Sequence, residues 1–164
     1  MADNLARIHG EDTRKARTAG MLHDLARLYS APRLIDECER RGVPIDAFAR
    51  DNPVVLHAPL SARLAQELFG VNDPQILSAI AKHTLADAHM SALDCILFLA
   101  DGLEPGREYP ERAEVARLAE RDLNAAMRAT IGSTLRYLRG RRLPLAPQTA
   151  AAMKTWEVST GGDS

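Results

Sequence analysis

The sequence predicts an all-α protein, a single helical bundle, and three features carry that expectation. Aromatic residues make up only 4% of the 164 residues, far from the aromatic and β-branched composition that sheets favour. Ala, Leu and Arg recur at helical spacing, and no run of Val, Ile, Thr and Tyr alternates with polar residues as a half-buried strand would. Capping residues, prolines and glycines punctuate the chain at helix-length intervals.

Taken in order, a first helix around Leu5 closes before Gly10, with His9 near its end and read as exposed. Asp12 caps a second helix running toward Leu28, since an Asp side chain accepts from the free amides of a first turn. Pro32 suits the first turn of a third, and Gly42 follows its end at Arg41. Pro44 opens a short segment, followed by an irregular stretch through Asp51-Asn52-Pro53. Pro59 begins a helix whose Leu60, Leu64, Ala65 and Leu68 share an apolar face before Gly70 stops it. Asp73-Pro74 starts the next, which runs through His83. Ser91 caps the most apolar helix, which reaches Asp101-Gly102. Beyond the turn Leu103-Glu104-Pro105-Gly106 come a short helix near Pro110, a longer one from Asp122 to Arg139, and a last from Gln148 to Trp156. No repeat or linker divides the chain, so residues 1–158 are expected to form one domain and 159–164 a loose tail.

Lys plus Arg total 21 against 22 for Asp plus Glu, a net charge of -1. Nothing there provides the basic field that nonspecific nucleic-acid binding depends on. The apolar run Cys95 to Ala100 falls far short of the roughly 20 residues of a membrane span. The N-terminus has neither the basic start nor the apolar core of a signal peptide, and two cysteines cannot build a disulfide framework. The expected setting is the cytoplasm, without nucleic-acid or membrane partners, and a homodimer is left open.

His23-Asp24 is the first candidate for chemistry. Its neighbours Ala16, Ala19, Gly20, Met21, Leu22, Leu25 and Ala26 are small or apolar, which predicts a buried helix. An ionised carboxylate there costs several kcal/mol or more unless it is paired or holds a cation. The competing structural account pairs Asp24 with Arg27 or Arg17 beside a core histidine, and the dipeptide alone favours it. Asp101 directly follows Ile96-Leu97-Phe98-Leu99-Ala100, where an acid opposes the helix dipole, which points to a cation. His57 stands at the doorstep of one helix and His83 at the end of another; each alone reads as structural. Together the five supply imidazole nitrogens and carboxylate oxygens, a set suited to iron, manganese, zinc or nickel and poor for calcium.

Five strings in order then carry a family resemblance: Ala19-Gly20-Met21-Leu22-His23-Asp24-Leu25-Ala26, Val55-Leu56-His57-Ala58-Pro59, Ile80-Ala81-Lys82-His83-Thr84, Met90-Ser91-Ala92-Leu93-Asp94, and Phe98-Leu99-Ala100-Asp101-Gly102-Leu103-Glu104-Pro105-Gly106-Arg107. They resemble the motifs of the HD-domain metal phosphohydrolases, and more narrowly the bacterial YqeK-type branch, the symmetrical bis(5′-nucleosyl)-tetraphosphatases. The His-Asp pair alone is weak, whereas the last string is distinctive; the resemblance spans nearly the whole chain and weakens after about Asp122. It implies an HD-domain helical bundle around a two-metal centre, di-iron first and manganese, zinc or nickel otherwise, that splits diadenosine tetraphosphate into two ADP. His23, Asp24 and Asp101 are implied ligands of the first metal, Asp24 the bridge, and His57 with His83 the holders of the second. Asp24 and Arg107 are the implied catalytic residues. Arg107 is also the expected phosphate contact, with Lys82 and Thr84 as weaker substrate-side candidates.

The family pattern also carries an earlier histidine on the first helix, upstream of the stretch that Leu5 matches. Counted from Met1, the chain then lacks one ligand and part of that helix, and the expectation is an internal methionine start or an incomplete first site. Arg27 and Cys95 stand where such sequences commonly carry lysine. Two other readings remain: an HD phosphohydrolase for another nucleotide phosphoester, and a catalytically impaired metal- or nucleotide-binding helical module. His89 reads as solvated, Cys38 and Cys95 as core thiols, Arg139-Gly140-Arg141-Arg142 as a solvated basic helix end, and Trp156 as packing.

Overall fold

The computed structural model describes residues 1–158, so the expected loose tail at 159–164 lies outside the described residues. Within them the all-α expectation holds: ten α-helices and one 3₁₀ turn, with no strand. The helices are α1 (Ala2–Ile8), α2 (Thr13–Leu22), α3 (Ala31–Arg40), α4 (Ala47–Asp51), α5 (His57–Phe69), α6 (Pro74–Lys82), α7 (Ala92–Gly102), α8 (Arg112–Ala119), α9 (Leu123–Gly140) and α10 (Pro147–Thr155), with the 3₁₀ turn at Pro53–Leu56.

Local chemistry sets most of these boundaries. Asp12, Asp46, Asp73 and Asp122 each accept from amides of the turn that follows, satisfying donors a helix leaves free. Ser91 and Asp94 form a reciprocal capping box at the start of α7. Gly70 closes α5 at φ +66, a left-handed turn that residues with a Cβ resist.

The most apolar helix, α7, buries Leu93, Cys95, Ile96, Leu97 and Leu99 and packs against α1, α2, α6 and α9. Its residues form the centre of the main core, which Trp156 joins. A second cluster, including Leu34, Cys38, Leu56, Leu60 and Leu64, lies where α3, the 3₁₀ turn and α5 meet. Burial pushes the thiol of Cys38 up to about 11 and that of Cys95 up to about 12, so both are inert core groups. No helix among the described residues is long and apolar enough to cross a membrane.

Four expectations need correction. First, α2 stops at Leu22 rather than Leu28, and residues 23–28 form turns. Side chains take over the helical hydrogen bonds. His23 Nδ1 lies 2.8 Å from the Gly20 carbonyl, which a helical Asp24 amide would use. The Ala26 amide, which would bond to Leu22, donates instead to Ser61 Oγ on α5 at 3.1 Å. Arg27 and Tyr29 then bond to carbonyls only three residues back. The His-Asp pair therefore sits at a helix end that is not buried: Met21 is 77% exposed and the Asp24 side chain 39%.

Second, α5 begins at His57, two residues before Pro59, and of the stretch expected to be irregular Asp51 ends α4, Asn52 stands between the two segments and Pro53 opens the 3₁₀ turn. Third, Leu68 is 65% exposed, because steps of four residues drift about 40° each around a helix and carry it off the face of Leu60. Fourth, His9 is not solvated; its Nε2 lies 2.6 Å from the Ala119 carbonyl, tying the end of α1 to the end of α8.

Ser61 is fully buried and holds the turn that carries the His-Asp pair. Ser61→Ala leaves the Ala26 amide buried without a partner, and denaturant titration is expected to show a loss of about 1–3 kcal/mol. A change below about 0.5 kcal/mol would show that the turn does not depend on this contact.

Candidate metal centre

Three imidazoles reach the site by the same device. His23 caps the C-terminus of α2, His57 that of the 3₁₀ turn, and His83 that of α6. Each places Nδ1 against the carbonyl three residues earlier: Gly20 at 2.8 Å, Val54 at 2.5 Å and Ile80 at 2.7 Å. A carbonyl only accepts, so each Nδ1 carries the proton and donates it, and each Nε2 is left with a lone pair.

Those three Nε2 atoms converge on Asp24. Its Oδ1 lies 3.3 Å from His57 Nε2 and 3.4 Å from His83 Nε2, and its Oδ2 lies 3.7 Å from His23 Nε2. Asp101 Oδ1 stands 3.8 Å from His23 Nε2 on the other side. His57 and His83 bring their Nε2 atoms within 3.1 Å of each other, and His23 meets His83 edge to face with ring centroids 4.8 Å apart. With Nδ1 protonated, the first of these contacts sets two lone pairs against each other, which a shared cation relieves.

The electrostatics agree. Burial pushes His57 down, and it pushes His83 down to about 4, so both stay neutral at pH 7. Burial works against the cationic form of His23 as well, but Asp101, the Gly20 carbonyl and Asp24 outweigh it and raise its pKa. Burial would raise Asp101, yet the His23 imidazole beside it and the hydrogen-bonded Arg107 guanidinium hold it down at about 2. His23 Nε2 is buried and has no hydrogen-bond partner. An orphaned lone pair among neutral imidazoles and ionised carboxylates fits a transition-metal ion. Two sets have ligand atoms all within 4.8 Å of one another: His23, Asp24 and His83, and His23, Asp101 and Glu104.

The structure thus brings together all five residues expected to ligate metal, and it adds Glu104, which sequence reasoning had quoted only as part of a string. Its place in the turn that closes α7, where its amide bonds to the Asp101 carbonyl, brings it beside Asp101. Arg107 is drawn onto Asp101, with Nη2 at 2.6 and 2.8 Å from the two carboxylate oxygens. Thr84 Oγ1 lies 3.2 Å from His57 Nε2, at the edge of the cluster. Lys82 turns elsewhere: its ammonium donates to the His89 carbonyl and to Asp94 Oδ2. Asp94 is buried and also accepts from Ser78, so Lys82 is bound into the α6–α7 packing. His89 is exposed, as are Arg141 and Arg142.

A cavity of about 320 Å³ opens beside the cluster, with His83, Asp101 and Arg107 in its wall. A larger cavity, about 560 Å³, lies elsewhere, along α8 and α9 between Glu111 and Arg139, and touches none of these residues.

The HD-domain family model matches residues 1–124. A protein described as a symmetrical bis(5′-nucleosyl)-tetraphosphatase from Bacillus subtilis (strain 168) is 36% identical over 158 residues, 96% of this chain and 84% of that protein. One so described from Halalkalibacterium halodurans is 33% identical over 155 residues, 92% of this chain and 80% of that one. The crystal structure of a protein described as a predicted HD superfamily hydrolase involved in NAD metabolism, from Clostridium acetobutylicum, matches with a TM-score of 0.91 at 33% identity, covering 95% of this chain and 82% of that one. With three helix-end imidazoles gathered on the Asp of a His-Asp pair, and with relatives of this kind over almost its full length, the chain belongs to the HD-domain family, in its branch of symmetrical bis(5′-nucleosyl)-tetraphosphatases.

Proposed function

We propose that the chain hydrolyses diadenosine tetraphosphate to two ADP, at a two-metal centre held by His23, Asp24, His57, His83 and Asp101. The observation that carries this reading is the convergence of three Nδ1-anchored imidazoles on one carboxylate, in a chain whose relatives bear that activity in their names. Nitrogen and carboxylate donors suit iron, manganese, zinc or nickel, and the family resemblance favours iron among them. When bound, a metal pair supplies an acidified water and positive charge for the phosphoryl oxygens.

The remaining work falls to the chain. Asp24 offers Oδ1 to the His57–His83 side and Oδ2 to the His23 side, which suits it to bridge two ions. Asp101, with Glu104 nearby, offers carboxylate oxygens on the His23 side. Arg107 is 47% exposed, lies on Asp101 and lines the adjoining cavity, so its guanidinium is placed to bind a phosphoryl oxygen as charge grows there. Thr84 lines the same cavity and offers a hydroxyl to substrate. Lys82 holds a buried carboxylate and does not serve as a phosphate contact in this scheme. Covalent catalysis by cysteine is disfavoured, since burial keeps both thiols protonated at pH 7. The absence of a long apolar helix among the described residues is compatible with a cytoplasmic enzyme.

Hydrolysis of diadenosine tetraphosphate followed by chromatography is expected to give ADP alone, and ATP plus AMP as early products would contradict the symmetrical reading. Asp24→Ala is expected to lose bound metal and at least about 100-fold in turnover, taking the upper range seen for disturbed metal ligation. Its helical circular dichroism should be unchanged, because Asp24 sits in a turn at the surface. Full metal content and turnover in that variant would remove the proposed centre.

Acidification should empty the centre in two stages. At His23, whose pKa is raised in the metal-free site, a proton competes with metal more readily than at His83, whose pKa burial lowers. Metal analysis after dialysis at falling pH is expected to show the His23–Asp101 side released before the His57–His83 side; simultaneous loss would contradict this. In the metal-free protein His83 acts on stability with a definite sign. The unfolded chain takes up that proton near 6.5 and the folded one only near 4, so His83 makes stability fall as the pH drops through this window.

A further inference from the structure

Glu104 and Arg107 stand in the stretch 103–111 that links α7 to α8, outside any helix. At Gly106, beside Arg107, a Cβ would meet nothing within 4 Å, so packing does not fix the backbone there. Arg107 nevertheless needs a fixed origin, because one of its nitrogens meets both oxygens of Asp101.

Hydrogen bonds supply it. Leu103 donates its amide to the Leu99 carbonyl at 2.9 Å, Glu104 to Asp101 at 3.2 Å, and Arg107 to Glu104 at 3.0 Å. The Leu103 carbonyl, on a residue buried in the core, accepts from a side chain instead. Arg112 Nη2 donates to it at 2.6 Å and lies 3.4 Å from the Glu104 carbonyl. The Glu104 carbonyl thus faces both the Arg107 amide and the Arg112 guanidinium, and its two lone pairs can serve both.

Arg112 is the first residue of α8, which Val115 and Ala119 set into the core. Among the described residues its hydrogen bonds go to those two carbonyls and to no carboxylate. Its Nε is buried without a partner, which opposes burial of the group. The guanidinium stays inside on the strength of the carbonyls, whose partial negative charge at the end of α7 attracts a cation. Arg112 has no place in the wall of the cavity beside the cluster, so any effect on substrate passes through other groups.

Resting on the reading that Arg107 binds a phosphoryl oxygen, we propose that Arg112 is a positioning residue for the hydrolysis. It clasps the turn that closes α7 and thereby sets Glu104 and Arg107 against the metal-competent cluster. Two arginines divide the work: Arg107 reaches outward to Asp101 and substrate, and Arg112 inward to the backbone that carries it.

Hydrogen exchange read by mass spectrometry and steady-state hydrolysis of diadenosine tetraphosphate, both on the metal-loaded protein, test the clasp. Arg112→Met keeps the aliphatic stem and removes the donors. Its segment 103–108 is expected to exchange at least about 10-fold faster than in the parent, with α5 and α6 unchanged. Its kcat/KM should fall at least about 10-fold, since a displacement near 1 Å at a reacting centre can cost about 100-fold. In an Arg107→Ala background the same substitution should change kcat/KM by less than about 2-fold, because the residue through which Arg112 acts is gone. Arg112→Lys returns a donor and should move both readouts back toward the parent. Unchanged exchange over 103–108, an equal loss of turnover in the two backgrounds, or faster exchange spread over α5 and α6 overturns the assignment; the last two mark Arg112 as a stabilising residue only. If the parent cleaves no diadenosine tetraphosphate while Arg112→Met still frees 103–108, the hydrolase reading falls and the clasp stands. Normal hydrolysis by the parent with no effect of Arg112→Met does the reverse.

Discussion

A contact repeated three times organises this molecule: an imidazole Nδ1–H donated to the carbonyl three residues earlier, at the end of a helical segment. It satisfies a carbonyl that the ending helix leaves free. It also fixes the tautomer and the ring orientation, so that Nε2 becomes a directed lone pair. Repetition at His23, His57 and His83 makes three such lone pairs meet at Asp24, and the His57–His83 approach of 3.1 Å is a packing that calls for a cation. Backbone geometry thereby positions the three imidazoles.

The fold delivers those three ends to one place. α7 is the axis, buried on most sides, and it carries Asp101 out to the cluster at its C-terminal turn. α2 and α6 both pack on α7, and α5 packs on α6, so the segment ends bearing His23, His83 and His57 are fixed against a common core. Ser61 adds a cross-link from α5 to the turn after His23. Lys82 and Asp94 add another, a paired charge inside the α6–α7 interface. Desolvation offsets much of the attraction in such a pair, while removal of Lys82 would leave the buried Asp94 carboxylate short of a partner.

Much of this was legible in the sequence, and what was not has identifiable physical causes. Capping aspartates, Ser91 and Gly70 act within a few residues, so they mark helix ends in the sequence itself. The metal-competent residues were legible because their types and ordered strings are chemically specific. The early end of α2 was hidden, since it depends on Ser61, thirty-five residues further along. For the same reason the expected burial of Asp24 failed: small neighbours predict a buried face, yet the turn swings that carboxylate toward solvent. Lys82 was misplaced because its partner Asp94 lies on another helix, and His9 because its carbonyl partner lies 110 residues away.

The central claim is that the three Nε2 lone pairs and Asp24 form the metal site. Anomalous diffraction from crystals grown with manganese or iron tests it most directly. Two anomalous peaks flanking the Asp24 carboxylate, at about 2.0–2.2 Å from Nε2 of His23 on one side and of His57 and His83 on the other, are the result this account predicts. Metal bound through any Nδ1, or peaks that leave Asp24 outside bonding distance, would contradict it.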